Sequence, residues 1–273
     1  MPSPRRRAAP GAIALSSGGK DSILALHMAV EAGYRVRGLL TVLPEDPESP
    51  LYHVPNVRHA RSVAYSLGMP WFPVRAPPDD EEMALSRALH RLQPSTVITG
   101  GIASTFQRSR FTRIAEESGA QVYSPLWSLT AHQLYAHLLD RGIRAVVVAV
   151  AAYGLGPEWL GLPLTRPNIA RLLAAAKRAR FDPTGEGGDL DTFVLDAPLY
   201  RRRLEIVSAE QRWEGDHGML RIRRLAARAK RQRRIPGPRA LENEGARTES
   251  MARLSSLRRP SAVRISSAIP IEP

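Results

Sequence analysis

The residues best suited to chemistry lie in a short glycine-rich loop near the start of the chain. After Ser16 the loop reads Ser17-Gly18-Gly19-Lys20-Asp21-Ser22, between a short apolar strand and a segment with helical periodicity. Free N–H groups at a helix N-terminus, close-packing glycines and serine hydroxyls together form a cradle for phosphate. The loop is not a Walker A loop, because Ala14 replaces its first glycine and Asp21 follows the lysine. The alternative is a tight turn capped by Ser17, but six specified residues at this junction favour phosphate binding.

A second group of chemically capable side chains lies in a glycine-rich acidic segment, residues 182–191. It places three carboxylates within six residues, and each is a candidate for binding a cation or accepting a proton. The alternative is a turn with solvated charges, which three closely spaced carboxylates make less favourable. The candidate catalytic residues are these three, Glu186, Asp189 and Asp191, together with Asp21 of the glycine-rich loop. The candidate substrate contacts in this segment are Glu186, Gly187, Gly188 and Thr192.

Further candidate residues follow other predicted strands. Gly100 comes directly after a predicted strand and is assigned to ATP binding. The substrate-binding candidates are His53, Asn56, Ser104, Gln107 and Arg110. Most of these have a simpler explanation, because Ser104 and Gln107 match a Ser-x-x-Gln helix capping box, an arginine is commonly solvated, and an asparagine before a helix is commonly a cap.

These residues need a scaffold, and apolar strands that alternate with amphipathic helices predict one. The alternation over residues 12–102 predicts an α/β fold with a parallel sheet covered on both faces. Ligands of such sheets lie beyond the carboxyl ends of the strands, and the first of these ends is the Ser16–Ser22 loop. We expect an ATP-binding domain over residues 1–102, a smaller α/β substrate domain over 103–225 and a flexible basic tail over 226–273.

Composition limits the chemistry and the partners. The chain has 273 residues and no cysteine, which excludes disulfides, thiol nucleophiles and thiolate metal sites. The formal net charge is +13, concentrated in the arginine-rich C-terminal part. No apolar run approaches the roughly 20 residues that a membrane span needs, so we expect no membrane contact and a cytoplasmic protein. The tail is one candidate for weak contact with RNA or the ribosome through phosphates, and a non-binding extension is the alternative.

The glycine-rich loop resembles the PP-loop of the ATP pyrophosphatase superfamily, whose signature is Ser-Gly-Gly-x-Asp-Ser. Later segments are similar to one branch of that superfamily, the diphthine–ammonia ligases. These segments are Gly100–Gln107 with Arg110, Ser124–Trp127, Val150–Leu155, Trp159–Gly161, Gly185–Thr192 and Leu195–Leu199. In the family the acidic segment usually reads Glu-Gly-Gly-Glu-Tyr-Glu-Thr. Here Asp189 and Asp191 replace glutamates and Leu190 replaces tyrosine, which keeps the charge and shortens its reach.

The resemblance implies an enzyme that amidates diphthine on elongation factor 2 with ammonia. ATP would activate the diphthine carboxylate as an acyl-adenylate, and pyrophosphate and then AMP would be released. The PP-loop residues would hold ATP, Asp21 would lie near Mg²⁺, and the acidic segment would capture ammonium. Trp127, Tyr153 and Trp159 are candidates for contact with the trimethylammonium group. The alternatives are another PP-loop ligase that uses ammonia or an amine on a small acid, and a nucleotide-binding adapter associated with RNA or the ribosome.

Overall fold

The chain builds two sheets in succession, as seen in a computed structural model that describes residues 11–45, 56–78 and 80–230, apart from the side chains of Phe106 and Gln107. The strands are β1 Ala12–Leu15, β2 Val36–Pro44, β3 Trp71–Ala76, β4 Thr96–Ile98, β5 Gln121–Tyr123, β6 Arg144–Val150, β7 Leu190–Asp196, β8 Arg202–Glu214 and β9 His217–Ala229. The α-helices are α1 Lys20–Glu31, α2 Ala60–Leu67, α3 Glu81–Leu92, α4 Thr105–Glu117, α5 Ala131–Asp140 and α6 Arg166–Ala179. Short 3₁₀ helices cover Val57–His59 and Pro157–Trp159.

The first sheet is parallel and has the strand order β3-β2-β1-β4-β5. Alternate residues of β1 face two different cores. Ala12 and Ala14 pack with residues of α1 and α2, whereas Ile13 packs with residues of α3 and α4. The predicted α/β fold with a parallel sheet covered on both faces is therefore confirmed. The strand order changes direction between β1 and β4, the point at which such sheets bind ligands.

The first sheet continues beyond residue 102, where the sequence predicts its domain to end. Strand β5 pairs in parallel with β4, with Thr96 opposite Gln121, and α4 packs against α3. The reason is that β5 supplies the fifth strand of the sheet, and α4 covers the same face as α3. Residues 105–123 thus lie with the first sheet in this structure.

The second sheet is antiparallel and has the order β7-β6-β9-β8. Strands β8 and β9 form a long hairpin, in which buried Leu204 lies opposite Ala227. This pairing keeps residues 226–229 in β9, although the sequence places the start of the basic tail at residue 226. The rest of the predicted tail, residues 231–273, lies outside the described residues. Within the described segments, no helix has the length and apolar character that a membrane span requires.

Candidate active site at the junction of the two sheets

The glycine-rich loop connects β1 to α1 at the carboxyl edge of the first sheet. Gly18 adopts the left-handed φ of +86°, which glycine tolerates best, and this turns the chain into α1. The hydroxyl of Ser16 accepts from the Gly18 N–H and that of Ser17 from the Gly19 N–H, both at 3.3 Å. These hydrogen bonds are long, so phosphate oxygens can replace the hydroxyls as acceptors. Ser22 donates to the Gly19 carbonyl at 3.1 Å and closes the loop.

Gly100, beyond the end of β4, supports the loop from the neighbouring strand. A Cβ atom at this position would lie 2.8 Å from the Asp21 carbonyl carbon and 2.8 Å from the Ser22 nitrogen. Both are backbone atoms of the first turn of α1, so a side chain at position 100 would push that turn away. The structure therefore places Gly100 directly against the predicted phosphate cradle.

Lys20 connects the cradle to the second sheet and is almost fully buried, with 1% of its surface exposed. Its ammonium group donates to Asp21 Oδ2 at 2.9 Å and to the Thr184 carbonyl at 2.5 Å. Its backbone N–H donates to Thr192 Oγ1 at 3.1 Å, and the Val194 N–H donates to the Gly18 carbonyl at 2.9 Å. The ammonium group thus points into the protein, and the acidic segment and β7 are joined to the start of α1.

The two carboxylate oxygens of Asp21 differ in their contacts. Oδ2 accepts from Lys20, whereas Oδ1 is buried and accepts no hydrogen bond from the part of the chain that the structure describes. Burial raises the pKa of Asp21 and the Glu186 carboxylate adds to this, while Lys20 opposes both. Mg²⁺ commonly binds through one or two carboxylates together with phosphate oxygens and water. The orphan Oδ1 beside a phosphate cradle fits that pattern, although the described residues hold no cluster of three or more metal-ligating side chains.

Glu186 reaches back to the first sheet. Its two carboxylate oxygens accept hydrogen bonds from the backbone N–H groups of Ile102, at 2.8 Å, and Ala103. These N–H groups lie just before α4, where a carboxylate is favoured by the helix dipole. The Glu186 carboxylate therefore holds the acidic segment against the loop that follows β4.

The Asp189 carboxylate forms a hydrogen bond within its own segment. Its Oδ2 accepts from the Asp182 N–H at 3.2 Å, while the Asp182 carboxylate accepts from the Thr184 N–H and hydroxyl. The loop closes tightly, since a Cβ on Gly185 would lie 2.2 Å from the Leu190 carbonyl oxygen. Gly187 and Gly188 are exposed and have left-handed φ angles of +111° and +90°.

Asp191 differs from the other two carboxylates, because it accepts no hydrogen bond from any described residue. It is half-buried at the start of β7, and burial raises its pKa from 3.8 to about 7. The Asp21 carboxylate raises this pKa further and the Lys20 ammonium lowers it, so all three side chains share one electrostatic environment. A carboxylate with such a pKa exchanges protons at neutral pH.

Two of the remaining substrate-binding candidates, Asn56 and Arg110, form their hydrogen bonds and ion pairs with other parts of the chain. Asn56 donates to the Leu220 carbonyl at 2.9 Å and accepts from the Ile222 N–H at 2.7 Å, so it holds β9. Arg110 pairs with Glu82 at 2.7 Å on the outer helices of the first sheet. Ser104 precedes α4, close to the N–H groups bound by Glu186. His53 and the side chain of Gln107 lie outside the described residues.

The three aromatic candidates lie in different surroundings. Tyr153 is 86% exposed, Trp159 is buried, and the Arg108 guanidinium lies 4.1 Å from the ring centroid of Trp127. Tyr135 was not predicted as a site residue. It is a buried residue of α5, and its hydroxyl donates to the Pro183 carbonyl at 2.6 Å. Burial, together with the nearby carboxylates of Asp21 and Asp182, raises the pKa of Tyr135. No local motif marks this residue, because its partner is 48 positions away in sequence.

Comparison with known proteins identifies relatives of both halves of the chain. Residues 11–122 match the family model of the diphthamide synthase N-terminal domain, and residues 130–227 match that of the C-terminal domain. A diphthine–ammonia ligase of Schizosaccharomyces pombe is 29% identical over 72% of this chain and 36% of the relative, so this chain spans about a third of its length. Relatives of the same name from Bos taurus and Homo sapiens are 26% and 25% identical, over 72% of this chain and 83% of each relative.

Among solved structures, a predicted subunit of a tRNA methyltransferase from Methanocaldococcus jannaschii matches 69% of this chain and 99% of its own. The sequence identity is 16% and the TM-score is 0.36, a weak likeness. Family membership is shown instead by the two family models, which match consecutive segments of the chain. Residues of the two segments are joined by hydrogen bonds, from the Lys20 N–H to Thr192 and from the Ile102 N–H to Glu186. The chain therefore belongs to the diphthamide synthase family, which includes these diphthine–ammonia ligases.

Proposed function

We propose that this chain is an ATP-dependent carbon–nitrogen ligase that converts the carboxylate of diphthine on elongation factor 2 into an amide, with ammonia as the nitrogen donor. Family membership supports this reaction. The observation that carries the proposal is the junction at Lys20, where a phosphate cradle and an acidic segment from the second sheet are joined by direct hydrogen bonds. An enzyme that first adenylates an acid and then aminates it needs both features within one site.

The first half-reaction is the attack of the substrate carboxylate on the α-phosphorus of ATP, with pyrophosphate as the leaving group. The loop from Ser16 to Ser22 offers amides, hydroxyls and the N-terminus of α1 to the phosphates. Asp21 Oδ1 is the group of this chain that would hold Mg²⁺. Bound there, the metal would offset negative charge on the leaving group.

The second half-reaction needs neutral ammonia, because ammonium has no free electron pair. We assign the proton acceptor to Asp191, since the carboxylates of Glu186 and Asp189 already accept backbone N–H groups. A carboxylate with a pKa of about 7 is half-ionised at neutral pH and can take a proton from ammonium or from the attacking amine. Ammonia then attacks the acyl-adenylate carbonyl carbon, the electron pair of the acyl–oxygen bond leaves with AMP, and the nitrogen releases one proton to solvent to give the neutral amide.

The reaction is tested by incubating diphthine-bearing elongation factor 2 with the enzyme, Mg-ATP and ammonium, and by following the mass of the factor together with the nucleotide products. We expect conversion of the acid to the amide with release of AMP and pyrophosphate. AMP and pyrophosphate without the mass change would point to a PP-loop ligase that acts on another acid. A failure to consume ATP would favour a nucleotide-binding adapter associated with RNA or the ribosome.

The role of Asp191 is tested by Asp191→Asn, with Asp216→Asn as a matched control in the exposed β8–β9 turn. Deprotonated Asp191 is the active form, so at constant total ammonium the wild-type rate should rise with pH through about 7 and then level off. Loss of a general base typically costs about 10²- to 10⁴-fold in rate. We expect D191N to lose this factor together with the levelling-off near pH 7, because its rate would follow the fraction of free ammonia alone, and D216N to behave like the wild type. A D191N enzyme with the wild-type pH profile would refute the assignment.

A further inference from the structure

Arginine side chains cluster where the start of α2 meets the β8–β9 hairpin. Arg58 is exposed and donates to the Ile222 carbonyl at 2.6 Å, which holds it against β9. Arg221 and Arg223 lie two residues apart on β9 and therefore share a face, and Arg212 lies on the paired strand β8. The guanidinium groups of Arg223, Arg58 and Arg212 all lower the pKa of Arg221, so the four positive charges lie close together.

This cluster has little compensating negative charge. Glu210 accepts from both Arg212, at 2.9 Å, and Arg223, so one carboxylate is shared between two guanidinium groups. Neither Arg58 nor Arg221 forms an ion pair with any described residue. Packing like charges costs stability unless a partner neutralises them. The cluster therefore attracts an anionic partner.

A groove continues from the cluster along α2. Arg61 and Tyr65 lie four residues apart on one face of α2 and line the groove, and Arg58 precedes them in the 3₁₀ helix Val57–His59. The groove has a volume of about 280 Å³, and its apolar lining comes from the hairpin residues Leu204, Leu225 and Ala227. Tyr65 is 59% exposed, with the Arg202 guanidinium 5.8 Å from its ring centroid. An apolar side chain fits this lining, and the arginines at its rim suit acidic neighbours of that side chain.

The arginine surface, defined as Arg58, Arg61, Arg212, Arg221 and Arg223 with the groove, lies close to the active site. The His59 ring packs edge-on against Phe193, with ring centroids 6.3 Å apart. The Phe193 ring in turn would lie 3.1 Å from a Cβ placed on Gly18. Two packed side chains, His59 and Phe193, thus separate the phosphate cradle from the arginine surface. A macromolecule bound at the arginine surface would therefore lie near enough for its reactive side chain to enter the site.

We infer that the arginine surface docks the protein that carries the substrate side chain, by binding an acidic segment with an apolar residue in the α2–hairpin groove. This inference rests on the proposed function. Among the described residues the surface presents one exposed aromatic ring, Tyr65, and single-stranded RNA binding commonly uses several stacking platforms. A protein segment therefore fits the surface better than RNA does. The charges would accelerate association, and the groove would slow release.

The test compares direct binding of the full-length enzyme to diphthine-bearing elongation factor 2 and to a single-stranded RNA oligonucleotide. The charge reversal R61E/R221E alters the arginine surface, and R91E/R178E makes the same change of charge at exposed residues of α3 and α6. We expect R61E/R221E to weaken binding of the factor at least tenfold and to flatten its salt dependence, while R91E/R178E binds like the wild type. If thermal melting shows that R61E/R221E is destabilised, the neutral R61Q/R221Q replaces it, with an expected loss of about fivefold.

Equal binding by R61E/R221E and the wild type, equal losses in both charge-reversed proteins, or no binding of the factor by the wild type would overturn the inference. Tighter wild-type binding to RNA than to the factor, lost in R61E/R221E, would overturn it in favour of a nucleic-acid surface. The proposed function is judged separately by the mass of the factor. Arginine-dependent binding without amidation would refute the reaction and keep the docking surface, whereas amidation with arginine-independent binding would do the reverse.

Discussion

Replacement of Gly100 by alanine should damage the phosphate cradle from outside it. The added Cβ would lie 2.8 Å from two backbone atoms of α1, whereas ordinary contacts begin near 3.4 Å. The first turn of α1 must therefore move by about 0.6 Å, or β4 must yield by the same distance. Overpacking of this kind typically costs ~1–3 kcal/mol of folding free energy. A displacement approaching 1 Å in a catalytic constellation can lower the rate by about 10²-fold.

The neighbouring Gly101 provides the control. A Cβ on Gly101 meets no atom within 4 Å, and its φ is not in the left-handed region. The G101A protein should therefore stay within ~0.5 kcal/mol of the wild type and keep its activity. Urea unfolding measures the stability of both proteins, and AMP release from ATP in the presence of substrate measures their activity. The packing argument is wrong if G100A matches G101A in both measurements.

Two further substitutions test groups that the structure gives a supporting role. Glu186 offers two acceptor oxygens to the N–H groups before α4, and a glutamine side chain at this position offers one. The free energy of unfolding measured in urea should therefore fall by ~1–3 kcal/mol in E186Q. The control E214Q, at an exposed residue of β8, should lose almost none of its stability. Burial lowers the pKa of His27, whose Nδ1 hydrogen bonds the Ile23 carbonyl while Nε2 accepts from the Leu199 N–H. The contribution of neutral His27 to the free energy of unfolding should be complete above its unfolded pKa of about 6.5 and should decline as the pH falls towards the lower folded pKa. Between pH 8, 6 and 5, the free energy of unfolding should therefore fall less steeply for H27Q than for the wild type. Parallel curves for the two proteins would refute this assignment.

The part of the site with local signals could be predicted from the sequence. A strand, a glycine turn and an amphipathic helix are determined by neighbouring residues, and the structure places the Ser16–Ser22 loop where this pattern indicates. The capping box of Thr130 and Gln133 at α5 is equally local, and both of its hydrogen bonds form. The carboxyl edge of the first sheet was predictable for the same reason, because the alternation of strands and helices specifies a parallel arrangement.

The functions of the three carboxylates could not be separated in this way. Glu186 is distinguished by its hydrogen bond to the Ile102 N–H, 84 positions away, and Asp191 by its nearness to Lys20 and Asp21. Contacts at such separations depend on how the second sheet packs, and spacing within the acidic segment contains no information about them. Of the long β8–β9 hairpin, the sequence indicates only short strand-like segments, near residues 203–207 and 219–222, for a different reason. Many of its residues are exposed arginines, which mask the alternation of a half-buried strand.

The orientation of Lys20 changes how the phosphate cradle must operate. A lysine at this position in sequence suggests a cation directed at phosphate, but its ammonium group binds Asp21 and the Thr184 carbonyl within the protein. In the proposed reaction, attraction for the phosphates would come mainly from backbone amides, hydroxyls and a metal at Asp21 Oδ1. Lys20 instead offsets the negative charge that Asp21 and Asp191 bring into one half-buried volume. By holding the acidic segment to the start of α1, Lys20 would keep Asp191, the proposed proton acceptor, and the glycine-rich loop in a fixed arrangement, as the two proposed half-reactions require.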